Sequence, residues 1–564
     1  MENKTLKISF WKNRPFVTDE EKKHRKKDRL LLILSGIFLG VSFPPFPFPL
    51  TTLMLIGLIP YFIVIERRGK LLEINSATYL MAFVFGLLTI YWVGSWQKES
   101  DPFLLISGAL LLFVNPVFFL IPSTLLYYSR RIFPAWVTLF LFPLFWVSYE
   151  YVYMLTELSF PWLTLGNGLP HFTSFIQVAD IVGTLGLSFI VVLINVLLYK
   201  GISFYPLKRK YSFLHFGLGI ALILIVLIYG AYRMNTFKIS QKTVRVGLIQ
   251  PNLDPWQKWS GGSVEQLTHS YLDMSRKAVK EGAALIVWPE TALPVFLMSG
   301  LYRNEQDSIF NFTRENGIYI LSGMPDIRYD EKGPGLPKDS KYNPNGNFYY
   351  RTYNAIFLFS PYTGVIQKYG KMKLVPFGER VPFVDTFPFL GDLIKWGVGI
   401  TGWNVGKDTV VFNVPLKIKN DTGKQDTLEL NGLVCYESIY PDFVASFVDK
   451  GAQLITVVTN DSWYGNSSGP YQHKEMSVLR AVENRRSVLR AANGGISCYI
   501  NPLGITKAQS KMFKKDIIVQ DVPVETGKTF YTRTHSVIPT LCSVFSLWVI
   551  GIVILKKLKE KFKL

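Results

Sequence analysis

Hydrophobic positions fall into two textures along this chain. Long, nearly unbroken apolar runs fill about the first 232 residues and about the last 30, whereas residues 233–535 alternate short apolar strings with polar, periodic segments. Eight runs are candidate membrane spans: residues 30–47, 50–65, 77–96, 103–127, 133–148, 181–198 and 213–229, then 537–555 after the polar-rich part. A bilayer core needs roughly 20 apolar residues per helix, with ~17 sufficing. The first two runs and the fifth are short or interrupted by proline. The string FPPFPFP after Val41 predicts a tight turn between the first two helices.

Within residues 233–535 the strings of strand length are VRVGLIQ, AALIVWPE, IYILSGMP, AIFLFSP, NGLVCYE, QLITVVTN, VLRAANGGISCYINP and DIIVQDVPV. Segments 264–281 and 472–486 carry apolar residues at intervals of three and four, a helical period. In the second, Met476, Leu479 and Val482 share one face, and Arg480, Glu483 and Arg486 lie away from it. Alternating strands and helices predict a layered α/β domain, with functional groups at strand ends where loops present them. The Gly/Pro/Asn/Lys-rich stretch 331–347 reads as a surface loop. The predicted organisation is a basic segment 1–29, a seven-helix membrane domain 30–232, an α/β domain 233–535, a last membrane helix 536–555 and a basic tail 556–564.

Charge sharpens this picture. The chain has 564 residues, too many for one ordinary domain, and 49% are apolar. Ten Lys and Arg precede the first span, three follow the second (ERRGK), two the fourth (SRR), four the sixth (YKGISFYPLKRK) and five the last. The short connections on the other face carry one, Lys98. The positive-inside rule then makes both termini cytoplasmic and puts residues 233–535 on the far side of a cell inner membrane. The net charge of +20 follows from that topology and calls for no nucleic acid. About 29 polar residues precede the first span with no small-residue cleavage site after it, so the first helix is expected to stay as an anchor.

Candidate chemistry sits in the α/β part. Cys435 falls where NGLVCYE passes into a turn, Glu290 ends the string AALIVWPE, and Lys371 lies in KMKLVPFGE. A thiol, a carboxylate and an ammonium can form a nucleophile, its base and its charge stabiliser. The plain alternatives are a Cys435–Cys498 disulfide in an oxidising compartment, a solvated loop acid at 290 and a basic patch of Lys368, Lys371 and Lys373. Composition does not choose between Lys371 and Lys373. Cys542 lies in the last apolar span. The six histidines show no metal-ligand spacing and no phosphate loop stands out, so no metal or cofactor is expected. His473, in GPYQH, is in a motif-like setting, with a structural role at a helix start as the plain alternative.

The motifs VWPE, KMKLVPFGE and CYE, in that order, resemble those of carbon–nitrogen hydrolases (the nitrilase superfamily). With FPWLTLGN at 160–167, IQPN followed by KW at 258–259, NDSWYG at 460–465 and GPYQH at 469–473, the chain resembles the membrane-embedded apolipoprotein N-acyltransferases from about Leu30 to the last helix. The resemblance implies an αββα sandwich joined to a multi-span helical domain. It implies Cys435 as nucleophile, Glu290 as proton acceptor and Lys371 as oxyanion stabiliser, which settles the choice of lysine. It implies supporting roles for Glu379, Tyr436 and Glu437, and substrate contacts at Trp259 and Trp463. ANGGIS at 492–497 departs from the family, whose members more often place a polar residue or Thr between the Asn and the Gly. The implied reaction moves an acyl chain from a phospholipid to the N-terminal amine of a diacylglyceryl-cysteine lipoprotein through a cysteine thioester. The competing classes are a membrane-tethered amidase or hydrolase and a non-catalytic lipid-binding scaffold.

Overall fold

The computed structural model describes residues 19–95, 102–206, 208–259, 263–387, 389–390, 402–416 and 426–562. Among the described residues, seven helices are long and apolar enough to cross a membrane. Phe48–Ile65, Leu71–Gly94, Leu104–Ser129, Ala135–Leu155, Ala179–Phe204 and Arg209–Thr236 precede the α/β domain, and Val537–Phe562 follows it. Lys98 lies outside the described residues.

The first predicted span differs from the rest. Helix Asp19–Val41 is polar as far as Arg29, so only residues 30–41 are free of charge. At 1.5 Å per residue this is about 18 Å of apolar helix, well short of a ~30 Å core. The helix and the turn that follows it nevertheless reach both ends of the bundle. Asp28 pairs with Arg68 at one. At the other, Phe46 O lies 2.8 Å from His171 Nδ1, and His171 Nε2 lies 3.6 Å from Glu475 of the α/β domain. Between them the helix lies close against Leu71–Gly94: a Cβ added at Gly36 would stand 2.7 Å from Val84 Cβ, and one at Gly40 2.7 Å from Leu88 Cβ. Small residues four apart allow such backbone contact between apolar helices, where packing rather than water expulsion drives association.

The charged connections gather at one end. Arg130 donates to Glu66 at 2.8 Å, Lys200 to the same carboxylate at 3.1 Å, and Lys556 to Arg131 O at 2.7 Å. The opposite end meets the α/β domain, where Trp92 Nε1 donates to Gln472 at 3.0 Å and Tyr436 Oη donates to Ser159 O at 2.7 Å.

Two seven-stranded sheets form the α/β domain. The first contains β1 (Thr243–Gln250), β2 (Leu285–Trp288), β3 (Tyr319–Asp330), β4 (Lys341–Asn343), β5 (Phe348–Phe359), β6 (Gln367–Gly370) and β14 (Asp516–Pro523). The second contains β7 (Val411–Leu416), β8 (Asp426–Asn431), β9 (Leu433–Val434), β10 (Leu454–Thr459), β11 (Ser487–Ala492), β12 (Cys498–Ile500) and β13 (Thr506–Gln509). The spatial orders are β14-β1-β2-β3-β5-β4 with β6 on β5, and β13-β12-β11-β10-β8-β7 with β9 on β10. Parallel pairing of β1 with β2, β2 with β3 and β10 with β11 needs crossover helices. Val264–Lys280 and Arg303–Asn316 supply them on one outer face, Ser468–Asn484 on the other. Val246, Val287 and Leu321 of the first sheet face Val434, Val457 and Leu489 of the second across a common core. The result is the expected αββα sandwich.

Details depart from the expected pattern. The single string VLRAANGGISCYINP is a hairpin, β11 and β12, with its loop at 493–497. Part of 331–347 forms the edge strand β4. Arg480 and Glu483, on the side of helix Ser468–Asn484 away from its apolar face, are fully buried. The polar face of this helix packs against the membrane helix Ala179–Phe204. Arg480 Nε lies 2.7 Å from Glu483, whose carboxylate accepts from Thr184 N at 2.7 Å and Thr184 Oγ1 at 2.6 Å. Arg485 and Arg233 both reach Asp180 nearby. Breaking a buried pair leaves an uncompensated charge, so Glu483→Ala is expected to cost about 3–5 kcal/mol. Equilibrium unfolding in detergent, followed by tryptophan fluorescence, checks this, and Arg480→Met together with Glu483→Leu should recover most of the loss.

Candidate active site

The turn that follows β9 sets the position of Cys435. Its φ is +51°, a left-handed conformation costly for a residue with a Cβ, and it opens the short helix Cys435–Ile439. Surrounding bonds hold the turn. Glu437 Oε2 accepts from Val434 N at 2.8 Å, Ser438 Oγ donates to Cys435 O at 2.8 Å, and His473 Nε2 lies 3.1 Å from the same carbonyl. Strain over-determined in this way is typical of a functional turn.

Glu290 follows the fully buried strand β2 and Lys371 follows β6, so the two sheet elements deliver opposite charges to one place. Lys371 Nζ lies 2.8 Å from Glu379 and 3.6 Å from Glu290. Asn354 of β5 bridges the acids, donating to Glu290 at 2.8 Å and Glu379 at 3.2 Å. Glu290 also accepts from Asn460 N at 3.0 Å. Burial raises the pKa of Glu290 and Glu379 adds to it, while Lys371 and Asn354 oppose. Burial works against the charge on Lys371, yet Glu379 and Glu290 hold its pKa above the ordinary lysine value. For Cys435, burial and then Glu290 push the thiol up, and Lys371 pulls it down.

The other expected residues divide by location. Glu437 is fully buried and accepts from Tyr369 Oη at 2.6 Å and Met372 N at 2.7 Å, tying the lysine segment to the cysteine turn. Lys373 turns away and sits 5.2 Å over the Tyr440 ring. Tyr436 faces the bundle, stacking on Phe160 at 6.1 Å. Trp463 lines the cavity beside Cys435, with the Trp256 ring 4.8 Å away. The side chain of Trp259 lies outside the described residues. Cys435, Cys498 and Cys542 are all free thiols, which removes the Cys435–Cys498 disulfide.

Cys435, Glu290, Lys371 and Glu379 open into one cavity of about 130 Å³, walled also by Trp403 and Leu104. Val375 and Tyr464 line this cavity and a neighbouring one of about 410 Å³. The larger one is apolar and lies between membrane helices, with Ile106, Leu110, Val114 and Phe118 on one wall and Phe377 on another.

Several groups at the site carry no motif readable in the sequence. Asn354 follows Arg351 and Thr352 in β5, just before the apolar AIFLF, so the sequence does not single it out. Lys258 is buried near Glu290, and burial lowers its pKa to about 7. Cys435, Asp461 and His473 place ligand atoms within 4.8 Å of one another. Arg490, however, bonds both Asp461 and His473 Nδ1, so a cation there would meet a guanidinium. The group reads as a hydrogen-bond network bracing the cysteine turn.

Both parts of the chain are similar to known proteins. Residues 245–531 match the carbon–nitrogen hydrolase family, and residues 35–197 match the apolipoprotein N-acyltransferase N-terminal domain. The apolipoprotein N-acyltransferase of Chlorobaculum tepidum is 32% identical over 92% of this chain and 94% of its own length. That of Geobacter metallireducens is 32% identical over 92% and 93%. An amidase from Nesterenkonia sp. of known structure is similar at 18% identity, covering 51% of this chain and 92% of the amidase, with a TM-score of 0.34. With both halves matched in chain order and relatives aligned along nearly their whole length, the chain belongs to the apolipoprotein N-acyltransferase family and is an N-acyltransferase.

Proposed function

We propose that this multi-pass membrane enzyme, which acts in lipoprotein N-acylation, takes its acyl chain from a phospholipid and carries it as a thioester on Cys435 to the N-terminal amine of a diacylglyceryl-cysteine lipoprotein. What carries this is the junction at Val375 and Tyr464, where the thiol's cavity meets an apolar cavity between membrane helices. An acyl tail in the larger cavity would bring its ester to the smaller one.

The chemistry follows from the site. The thiol is held above its ordinary pKa, so it is not a resting thiolate. Glu290 takes its proton as the sulfur attacks the ester carbonyl, forming the C–S bond. Lys371 Nζ, with a backbone N–H of the cysteine turn, stabilises the developing oxyanion. Protonated Glu290 then gives its proton to the departing lysophospholipid oxygen. In the second half the amine attacks the thioester and gives its proton to Glu290, which returns it to the sulfur as the C–S bond breaks, so the thiol is restored. The topology is proposed likewise: the gathering of basic connections at the bundle end away from the α/β domain supports cytoplasmic termini and an outward-facing site in an inner membrane, with the first helix completing an eighth crossing.

The acid limb of acylation should report Glu290. Its folded pKa is raised, so activity is present above that value and is lost as pH falls through it, at a higher pH than for an ordinary glutamate. The Asn354 bond lowers that pKa, so Asn354→Leu is expected to move the limb alkaline in single-turnover acylation.

Intact-mass analysis after incubation with phospholipid tests the whole scheme. An acyl adduct confined to the Cys435 peptide is expected, discharged to acyl-peptide by an acceptor lipopeptide. Discharge only to free fatty acid would make the protein a hydrolase, and no adduct would remove the thioester.

A further inference from the structure

A second lipid-sized feature lies at the basic end of the bundle. Helices Leu104–Ser129 and Val537–Phe562 leave between them a groove of about 500 Å³ walled by Val117, Ile121, Leu125, Ile550 and Ile554. It continues into a cleft of about 300 Å³ bordered by Arg131, Lys556 and Lys557, with Glu560 at the rim. Tyr128, Val553 and Lys557 line both, so groove and cleft form one continuous surface. Both helices are 26 residues long, about 39 Å, and both begin at the α/β end, so this surface is remote from Cys435.

The cations in the cleft are arranged but not neutralised. Lys556 Nζ donates to Arg131 O at 2.7 Å, Lys557 Nζ sits 4.5 Å over the Tyr128 ring, and the Arg131 guanidinium 4.8 Å over Tyr127. Among the described residues no carboxylate pairs with any of the three, and Glu560 leaves the cleft net positive. The groove beside them opens outward, with Ile121 46% and Ile554 52% exposed. Apolar walls facing lipid, ending in unpaired cations at the depth of the headgroups, match one occupant in both charge and shape.

We propose that this groove binds one anionic phospholipid from the leaflet on the basic side, with its tails against Ile121 and Ile550 and its phosphate between Arg131, Lys556 and Lys557. The lipid would join the last helix to the bundle where protein contact is sparse, only 22% of that span being buried. This does not depend on the acyl-transfer scheme.

Native mass spectrometry of the full chain, released from nanodiscs of mixed phosphatidylglycerol and phosphatidylcholine, reads the site directly. Changing Arg131, Lys556 and Lys557 together to Gln should remove one tightly retained phosphatidylglycerol, with affinity falling about fivefold per charge, and leave phosphatidylcholine retention unchanged. Ile121→Trp, which fills the groove and spares every charge, should remove the same phosphatidylglycerol. Excess inorganic phosphate should not displace it. An unchanged phosphatidylglycerol count in either variant, equal loss of both lipids in the charge variant, or displacement by phosphate overturns the proposal.

Discussion

Cys435→Ala is expected to lose both the acyl adduct and the N-acyl product, with turnover at least about 10⁴-fold below the parent enzyme. Among the described residues lining the cavity, the alternatives are weak: Tyr464 carries a hydroxyl whose ionisation burial suppresses, Thr291 an alcohol that is a far poorer nucleophile than a thiol, and Lys371 is kept protonated by two carboxylates. The protein should remain folded. Alanine removes only the sulfur and meets the same left-handed backbone that cysteine does, so the strain is unchanged. Cys435→Gly separates chemistry from folding further. Glycine accepts φ near +51° without a Cβ clash, so this variant should be equally inactive and no less stable than the alanine one. Transfer persisting in either variant would remove the cysteine from the reaction.

The legible parts of this structure are those whose signal is local. Strand β2 is a run of four apolar residues that stops two positions before Glu290, and β9 stops just before Cys435, so the strings that betrayed strands also pointed at the residues presented beyond their ends. The charge bias predicted the cluster of Glu66, Arg130, Lys200 and Arg131 with Lys556, because basic residues left on one side of a membrane must end up near one another. What escaped is long-range. β7 and β8 pair at a sheet edge, where exposed Asn413 and Thr427 dilute the apolar signal. Arg480 and Glu483 read only as lying off the apolar face, because helical period cannot tell water from a second domain. The helix Ala179–Phe204, with Thr184 placed to bond Glu483, and the cysteine turn, whose Ile439 O accepts from Arg480, make that face interior. Asn354, some 64 residues from Glu290 in sequence, becomes its partner only once β5 lies two strands from β2. The apolar cavity had no sequence signature of its own, since Leu110 and Phe118 look like any lipid-facing residues until the Val375–Phe377 segment closes over them.

Lys371→Met should have the next largest effect, and on two readouts at once. Methionine keeps most of the stem's volume but removes the ammonium. Loss of one oxyanion donor is worth roughly 10²–10³ in rate, and this loss should persist on the plateau of the pH profile. The second effect is on the base. Lys371 lowers the pKa of Glu290 against burial and against Glu379, so without it that pKa rises and the acid limb moves alkaline. On that limb the two losses multiply. Adding Glu379→Gln separates them, because removing the second carboxylate's charge takes away a repulsion that, with burial, raises the pKa of Glu290. The double variant should recover much of the limb's position while leaving the plateau low. If the plateau recovered together with the limb, Lys371 would act only by setting the charge of Glu290, and the oxyanion would need another donor, for which the backbone N–H groups of the strained turn at Cys435 are placed.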